Sequence, residues 1–342
     1  MTCLRMGRLV AGVALVMGWS TPAAAQEEVR ARDTLYTVTQ PLKIRLEADW
    51  RAVFRNKDPD VDEAHPGRML VANGPGVDTI AVSFRTRGNY RLKNCSIPPV
   101  MILFDQGGRP NSHFAGQRRL KLVTHCRDND RYEQNNHVEY LIYKLYNQLT
   151  EQSFGARQIE ATWVDTGRNT ESVKPAFIIE EERHLVARLE GELEGAPIGF
   201  DESEPITTTR LGIFQLLLGN TDWSQPGQHN IVMLRKGMDY IPLPYDFDWS
   251  GLVNAPYAKP DPSLNLRTVR ERQYRGPCTS ERLFQMALQQ VLDKQEAMLA
   301  EVDKLTGLEP GRVNDIKNYL GSFFREVPDY NQLQRRYLQR CR

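Results

Sequence analysis

The sequence predicts an α+β architecture in which a β-rich lobe precedes an α-rich lobe. Three observations carry this. Apolar–polar alternation crowds the first half of the chain, apolar residues at helical spacing dominate the second half, and 342 residues exceed a single-domain length of roughly 150. With 40% hydrophobic and 25% charged residues and no sustained heptad, the chain is neither disordered nor a coiled-coil rod. Lys and Arg number 44 against 43 Asp and Glu, leaving a net charge of +1. No basic excess exists to bind a phosphate backbone, so nucleic acid is excluded as a general partner.

Residues 1–25 are predicted to be a cleaved signal peptide. Arg5 and Arg8 are followed by a short apolar run, LVAGVALVMGW at 9–19, and then by Ala23, Ala24 and Ala25 before Gln26 and Glu27. The run is shorter than the ~20 residues a membrane span needs, and no later segment is apolar enough, so stable membrane insertion is not expected. Cleavage near Ala25 leaves a periplasmic or secreted protein, and losing two arginines changes the net charge from +1 to −1. Of the five cysteines, Cys3 is removed, and Cys95, Cys126, Cys278 and Cys341 remain. An even count in an oxidising compartment favours two disulfides. Three pairings are possible; Cys95 with Cys126 and Cys278 with Cys341 keeps each bridge within one half of the chain.

The mature chain divides into a β-rich part at 26–180 and a mainly helical part at 181–342. Residues 42–46 (LKIRL) alternate as a half-buried strand should. Strands are also expected at 79–85 (TIAVSFR), 100–104 (VMILF) and 120–125 (LKLVTH). The first helix is expected at 133–148, where Val138, Leu141, Ile142, Leu145 and Leu149 form one stripe. Strands at 159–164 and 176–179 follow, then a helix at 183–189. Helices are expected at 208–218, at 280–305 behind Ser280 as N-cap, and at 314–324. A cleft between the two parts is the natural place for a small-molecule site.

Between the helices, residues 219–251 read GNTDWSQPGQHNIVMLRKGMDYIPLPYDFDWSG. Two apolar strands, 231–234 and 240–245, flank a turn at 235–239. A turn centred near Met238 sets Asn230 opposite Asp246, at the ~4.5–5.5 Å separation of cross-strand partners. An amide oxygen and a carboxylate so placed form a pair that shares a hard cation, and Mg²⁺ fills its other positions with water and phosphate oxygens. Asp222, in the loop just before, is placed as a general base toward an attacking hydroxyl. Lys121 lies mid-strand on the face of Val123 and needs a partner there; Glu139 and Glu133 are the candidates. Arg87, in the turn RTRGNY, is a candidate phosphate contact. Residues 176–181, with Glu180, form a connection between the lobes where backbone groups would meet an adenine edge.

Together these segments resemble the CotH-type kinase family, atypical kinases named after a spore-coat protein. The resemblance spans about half the chain. It rests on Arg87-Gly88-Asn89, LKLV, the helix VEYLIYKLYNQL, FIIEEE, Gly-Asn-Thr-Asp followed by His229-Asn230, and Pro-Tyr-Asp-Phe-Asp. It implies a bilobal, protein-kinase-like α+β fold, with Asp222 as base, Lys121, Glu139, Arg87 and Glu180 at a nucleotide, and Asn230 and Asp246 at metal. The spacing departs from that of protein kinases: Asp222 and Asn230 are eight residues apart where the catalytic loop of those enzymes has five, and no G-x-G-x-x-G precedes. Residues 224–228 read as a loop insertion. The expected activity is phosphoryl transfer from ATP or another nucleotide, with Mg, to an unknown protein or small-molecule acceptor. The alternatives are a catalytically inactive cell-envelope scaffold or binding protein of that fold, and a metal-dependent hydrolase using Asp222, Asp246 and Asp248.

Overall fold

The structure, a computed structural model, describes residues 35–105 and 112–341. The predicted signal peptide and its cleavage site lie outside them. Seven strands lead: β1 Leu42–Ala48, β2 His65–Asn73, β3 Gly76–Thr86, β4 Val100–Phe104, β5 Arg119–Val123, β6 Ala156–Asp165 and β7 Thr170–Ile179. They close into one barrel in the order β1-β2-β3-β4-β5-β7-β6. Every neighbouring pair is antiparallel except β1 and β6, which run parallel from Leu42 beside Ile159 to Ala48 beside Asp165.

That closure overturns the expected bilobal protein-kinase-like fold. The β-rich region is a closed mixed barrel, the helices come mostly later in the chain, and the arrangement is not clearly that of a two-lobed kinase. The reason is the parallel seam. Alternation along 42–46 and 159–164 specifies two half-buried strands, but it carries no information that they pair with each other across more than a hundred residues.

Period-2 alternation then decides what each side of the barrel does. Ile44, Leu46, Met69, Val82, Phe84, Ile102, Leu122, Ile159 and Ile178 fill the interior, with Trp50 and Trp163 at one end. The opposite face of β5, β6 and β7 supplies Val123, Ala156, Phe177 and Ile179 to a second core shared with the helices. The run FII in β7 is therefore buried on both sides.

The helix α3, Asp130–Leu149, crosses that face; α1 is Trp50–Val53 and α2 is Tyr90–Asn94. Helix α3 starts three residues before the expected Glu133 because the Asn129 side chain accepts from the Tyr132 amide and caps it. The predicted stripe is present, with Val138, Leu141, Ile142 and Leu145 buried. His137, on the same helix, is 8% exposed beside Gln158, 2.9 Å from Nδ1. Burial pushes its pKa down to about 4. A histidine depressed in the fold stabilises it above its unfolded pKa, about 6.5, and that stability is lost as pH falls toward 4. Stability is expected to drop by about 3 kcal/mol between pH 7 and pH 4 from this residue. The urea midpoint of His137→Gln should show a correspondingly flatter acid limb.

Helices α4 Glu182–Leu189 and α5 Pro205–Leu218 follow, with strand β8 Glu192–Glu194 between them. Helix α5 ends at Gly219, whose φ is +62° and whose added Cβ would lie 2.1 Å from Tyr319 Oη. Both the left-handed backbone and the close approach require glycine there. Gly219→Ala is expected to cost at least about 2 kcal/mol, read as a lower urea midpoint.

The predicted helix at 280–305 is two helices, α6 Glu281–Leu292 and α7 Gln295–Lys304. Its apolar spacing runs on through the break, so the pattern does not register it. Locally, Asp293 accepts from the Gln289 side chain at 2.6 Å and Lys294 leaves helical geometry. Helices α8 Pro310–Glu326 and α9 Tyr330–Tyr337 complete the chain. Both disulfides pair as expected, Cys95 with Cys126 and Cys278 with Cys341, consistent with a protein exposed to an oxidising compartment. Among the described residues no helix is long and apolar enough to cross a membrane.

Candidate functional site

Strands β9 Ile231–Lys236 and β10 Asp239–Pro244 form the expected hairpin, joined to β8 in a three-stranded sheet. The turn is centred between Gly237 and Met238, half a residue before the expected Met238. Ile231 therefore pairs with Pro244, and Asn230 stands opposite Tyr245, whose amide donates to the Asn230 carbonyl at 3.1 Å. The expected direct opposition of Asn230 and Asp246 is thus off by one position. Just outside the ribbon both residues adopt left-handed backbone, φ +56° for Asn230 and +58° for Asp246. Asn and Asp tolerate that region better than other side chains, and it ends strand alternation on both sides of the hairpin's open end.

The loop after α5 is built around Asp222. Its amide donates to Asn220 Oδ1 at 3.0 Å. Asn230 Nδ2 donates to the Asp222 carbonyl at 2.7 Å and to its Oδ2 at 3.1 Å, while His229 Nε2 stands 2.9 Å from Oδ1. With the amide nitrogen so engaged, Asn230 Oδ1 is the atom left to face a cation. Residues 224–228 form a closed turn: the Ser224 and His229 amides each donate to the other's carbonyl, at 3.0 and 2.9 Å. Residues 224–228 are thereby folded out, and Asp222 and Asn230 still meet. Trp223 is buried beneath them. Asp222 and His229 face a cavity of about 610 Å³ whose walls include Trp249, Lys259 and Arg275.

Beyond Tyr245 lies an ionic cluster centred on Arg91. Its guanidinium donates to Glu139 at 3.0 and 3.2 Å and to Asp246 at 3.2 Å, and lies 3.4 Å from Asp248. Tyr257 donates to Asp248 at 2.8 Å, and the Asp246 amide donates to the Tyr143 hydroxyl at 3.1 Å. Burial works against the Arg91 charge, but Glu139 and then Asp248 outweigh it and raise its pKa above the usual value. Burial also pushes the Asp248 carboxyl well up, with Arg91 opposing, and raises Glu139 in the same way. Asp246 is the exposed member, its side chain 42% accessible against 3% for Glu139 and 6% for Asp248. Among the described residues its Oδ2 makes no hydrogen bond.

Lys121 does lie on the outer face of the barrel with Val123, but its ion pair is with Glu182, at the start of α4. Neither expected partner serves: Glu139 holds Arg91, and Glu133 holds Lys174 at 2.6 Å. Burial lowers the Lys121 pKa, Glu182 opposes it and Arg87 adds to it. Burial lowers the Arg87 pKa, Asp246 opposes it, Arg91 adds to it, and Glu182 opposes it. Among the described residues Arg87 makes no ion pair within 4.0 Å. Lys121, Arg87, Asp246 and Glu139 therefore belong to one electrostatic network, adjoined by Asp222 and Asn230 through the Tyr245 backbone. Glu180 is held elsewhere: Arg188 donates to its two oxygens at 3.0 and 2.8 Å, and its amide donates to the Gly155 carbonyl at 2.8 Å. Neither its side chain nor its amide is left for a ligand.

Sequence reasoning did not single out Arg91, Glu182 or Tyr257. Arg91 closes the basic segment RTRGNYR at 85–91, and Glu182 ends the run of three glutamates. Those signals are present but weak. No protein-family profile matches the chain, and no curated protein matches it. Among solved structures, the Helicobacter pylori proinflammatory kinase CtkA is similar over 71% of this chain and 92% of that chain, at 10% identity and a TM-score of 0.39.

Proposed function

We propose that this chain is an exported, Mg²⁺-dependent phosphotransferase of CotH-like chemistry, acting from the open end of the β9–β10 hairpin. The observation that supports it most is the convergence of Asp222, Asn230 and Asp246 there, beside Arg87. Phosphoryl transfer asks a protein for positioning, for cations near the transferred group and for a base near the attacking hydroxyl. The residues present fit a hard cation: Asn230 offers an amide oxygen and Asp246 an exposed carboxylate, both oxygen donors of the kind Mg²⁺ takes. When bound, the ion would neutralise phosphate charge.

This chain's own residues account for the remaining roles. Arg87 supplies a fixed positive charge beside Asp246, and Lys121 a second, released from Glu182 when phosphate oxygens compete for its ammonium. Glu139 and Asp248 hold Arg91, and Arg91 holds Asp246. Asp222 accepts the proton of the acceptor hydroxyl. His229 and Asn230 orient its carboxylate, so the proton is taken at a fixed oxygen. The cavity with Trp249, Lys259 and Arg275 is the acceptor side. The donor is ATP or another phosphoester, since ATP is scarce outside the cytoplasm.

A second reading, a non-catalytic envelope scaffold, is favoured by one feature. Lys121 and Asp246 already have protein partners in Glu182 and Arg91. Thermal shift of the mature chain separates the two. The phosphotransferase should melt about 2–4 °C higher with saturating ATP and Mg²⁺. Asp246→Asn, which keeps an acceptor for Arg91, should remove the rise. No shift in either protein sinks the enzyme reading.

A further inference from the structure

A second group of ligating side chains shares no residue with the hairpin site. His125, just before Cys126, and Asp128 and Glu133, around the start of α3, place one ligand atom each within 4.8 Å of one another. The His125 ring is 2% exposed, and neither of its nitrogens makes a hydrogen bond of accepted geometry. The Pro175 carbonyl is the least of the influences on it. A buried polar group without partners is costly, and here it faces two carboxylates. Those carboxylates are bridged by Lys174, whose ammonium lies 2.6 Å from both. The ammonium offers one positive charge against two negative ones, and neither His125 nitrogen receives a hydrogen bond from it.

We propose that His125, Asp128 and Glu133 bind a divalent transition-metal ion of the zinc class, with Lys174 as the resident competitor that the ion displaces. One imidazole and two carboxylates form a donor set that suits zinc and leaves a coordination position open. The Cys95–Cys126 bridge anchors the residue next to His125. His125, Asp128 and Lys174 all line a cavity of about 770 Å³ floored by Trp50 and Trp163, which gives the ion an entry path and the open position a space to face. Lys174 has a flexible stem and is 23% exposed, so it can swing into that cavity.

Cobalt as a probe tests this without any activity assay. The full mature chain, stripped with chelator, is titrated with Co²⁺ and with Zn²⁺ alone. One equivalent should bind and give the visible absorption of a low-coordinate cobalt site, bleached by Zn²⁺. Lys174→Met should tighten binding at least tenfold, an outcome that loss of a structural ion pair would not produce. Asp128→Asn, at an exposed position, should weaken it at least tenfold while the fold persists, and His125→Ala should abolish the absorption. Asp246→Asn should leave it unchanged, which separates this site from the hairpin. The proposal is overturned if the native chain binds no cobalt, if binding appears only in Lys174→Met, or if Asp128→Asn and His125→Ala bind as the native chain does.

Discussion

Asp222→Asn is expected to lower phosphoryl transfer by about 10²–10⁴-fold while the nucleotide-dependent thermal shift survives. The amide keeps the shape of the side chain, and its oxygen can still accept from Asn230 at the 3.1 Å now seen. What it loses is the capacity to take a proton. Asp246→Asn separates the roles, because it removes a metal-facing charge and should abolish both the shift and turnover. Arg87→Met falls between them, weakening nucleotide binding without touching the base. The measurement is single-turnover transfer of a labelled terminal phosphoryl group to envelope extract, run beside thermal shift on the same protein. If Asp222→Asn loses less than tenfold, Asp222 is not the base, and the His229–Asp222 contact is structural. If the native chain shows a shift but no transfer, the chain binds nucleotide without using it.

How far the sequence discloses this site depends on distance along the chain. The hairpin is local. Two apolar runs and a Gly237 turn place Asn230 and Asp246 at one end of it, and only the centre of the turn, half a residue away, escapes pattern reading. The Asp222–Asn230 contact is legible for the same reason, since seven residues lie between them and five of those, 224–228, fold into their own small turn. The partner of Lys121 is less accessible. A lysine on a strand face covered by helices demands a carboxylate, but Glu133, Glu139 and Glu182 all satisfy the demand by type. The choice is made by the β5–β7 register, in which Lys121 stands opposite Ile179, three residues before Glu182. The barrel is least accessible of all. Its closure depends on β1 meeting β6, and a strand's alternation states which face is buried without stating which neighbour it takes. The number of disulfides is legible through compartment and parity, and their pairing follows from keeping each bridge within one half of the chain.

Arg91→Ala is expected to destabilise the fold by about 3–5 kcal/mol. Glu139 and Asp248 are 3% and 6% accessible, and Arg91 is the cation that touches both. Removing it leaves two buried carboxylates whose ionised forms have no counter-charge, so they take up protons. Both already stand above the usual carboxylate range through burial, with Arg91 opposing the rise. A carboxyl whose pKa is raised in the fold binds more protons folded than unfolded, so it erodes stability as pH rises through its unfolded value toward its folded one. Without Arg91 both values climb further and that window widens upward. The variant should therefore lose most of its stability near neutral pH and recover part of it near pH 5, the reverse of the acid limb expected from His137. Arg91→Lys tests the geometry. A lysine restores the charge but not the fork that reaches Glu139 twice and Asp246 once, so it should recover stability while leaving Asp246 free to shift. Urea unfolding of the three proteins at pH 5 and 7.5 reads these effects directly. Equal losses at the two pH values would mean that packing around α2, rather than buried charge, is what Arg91 provides.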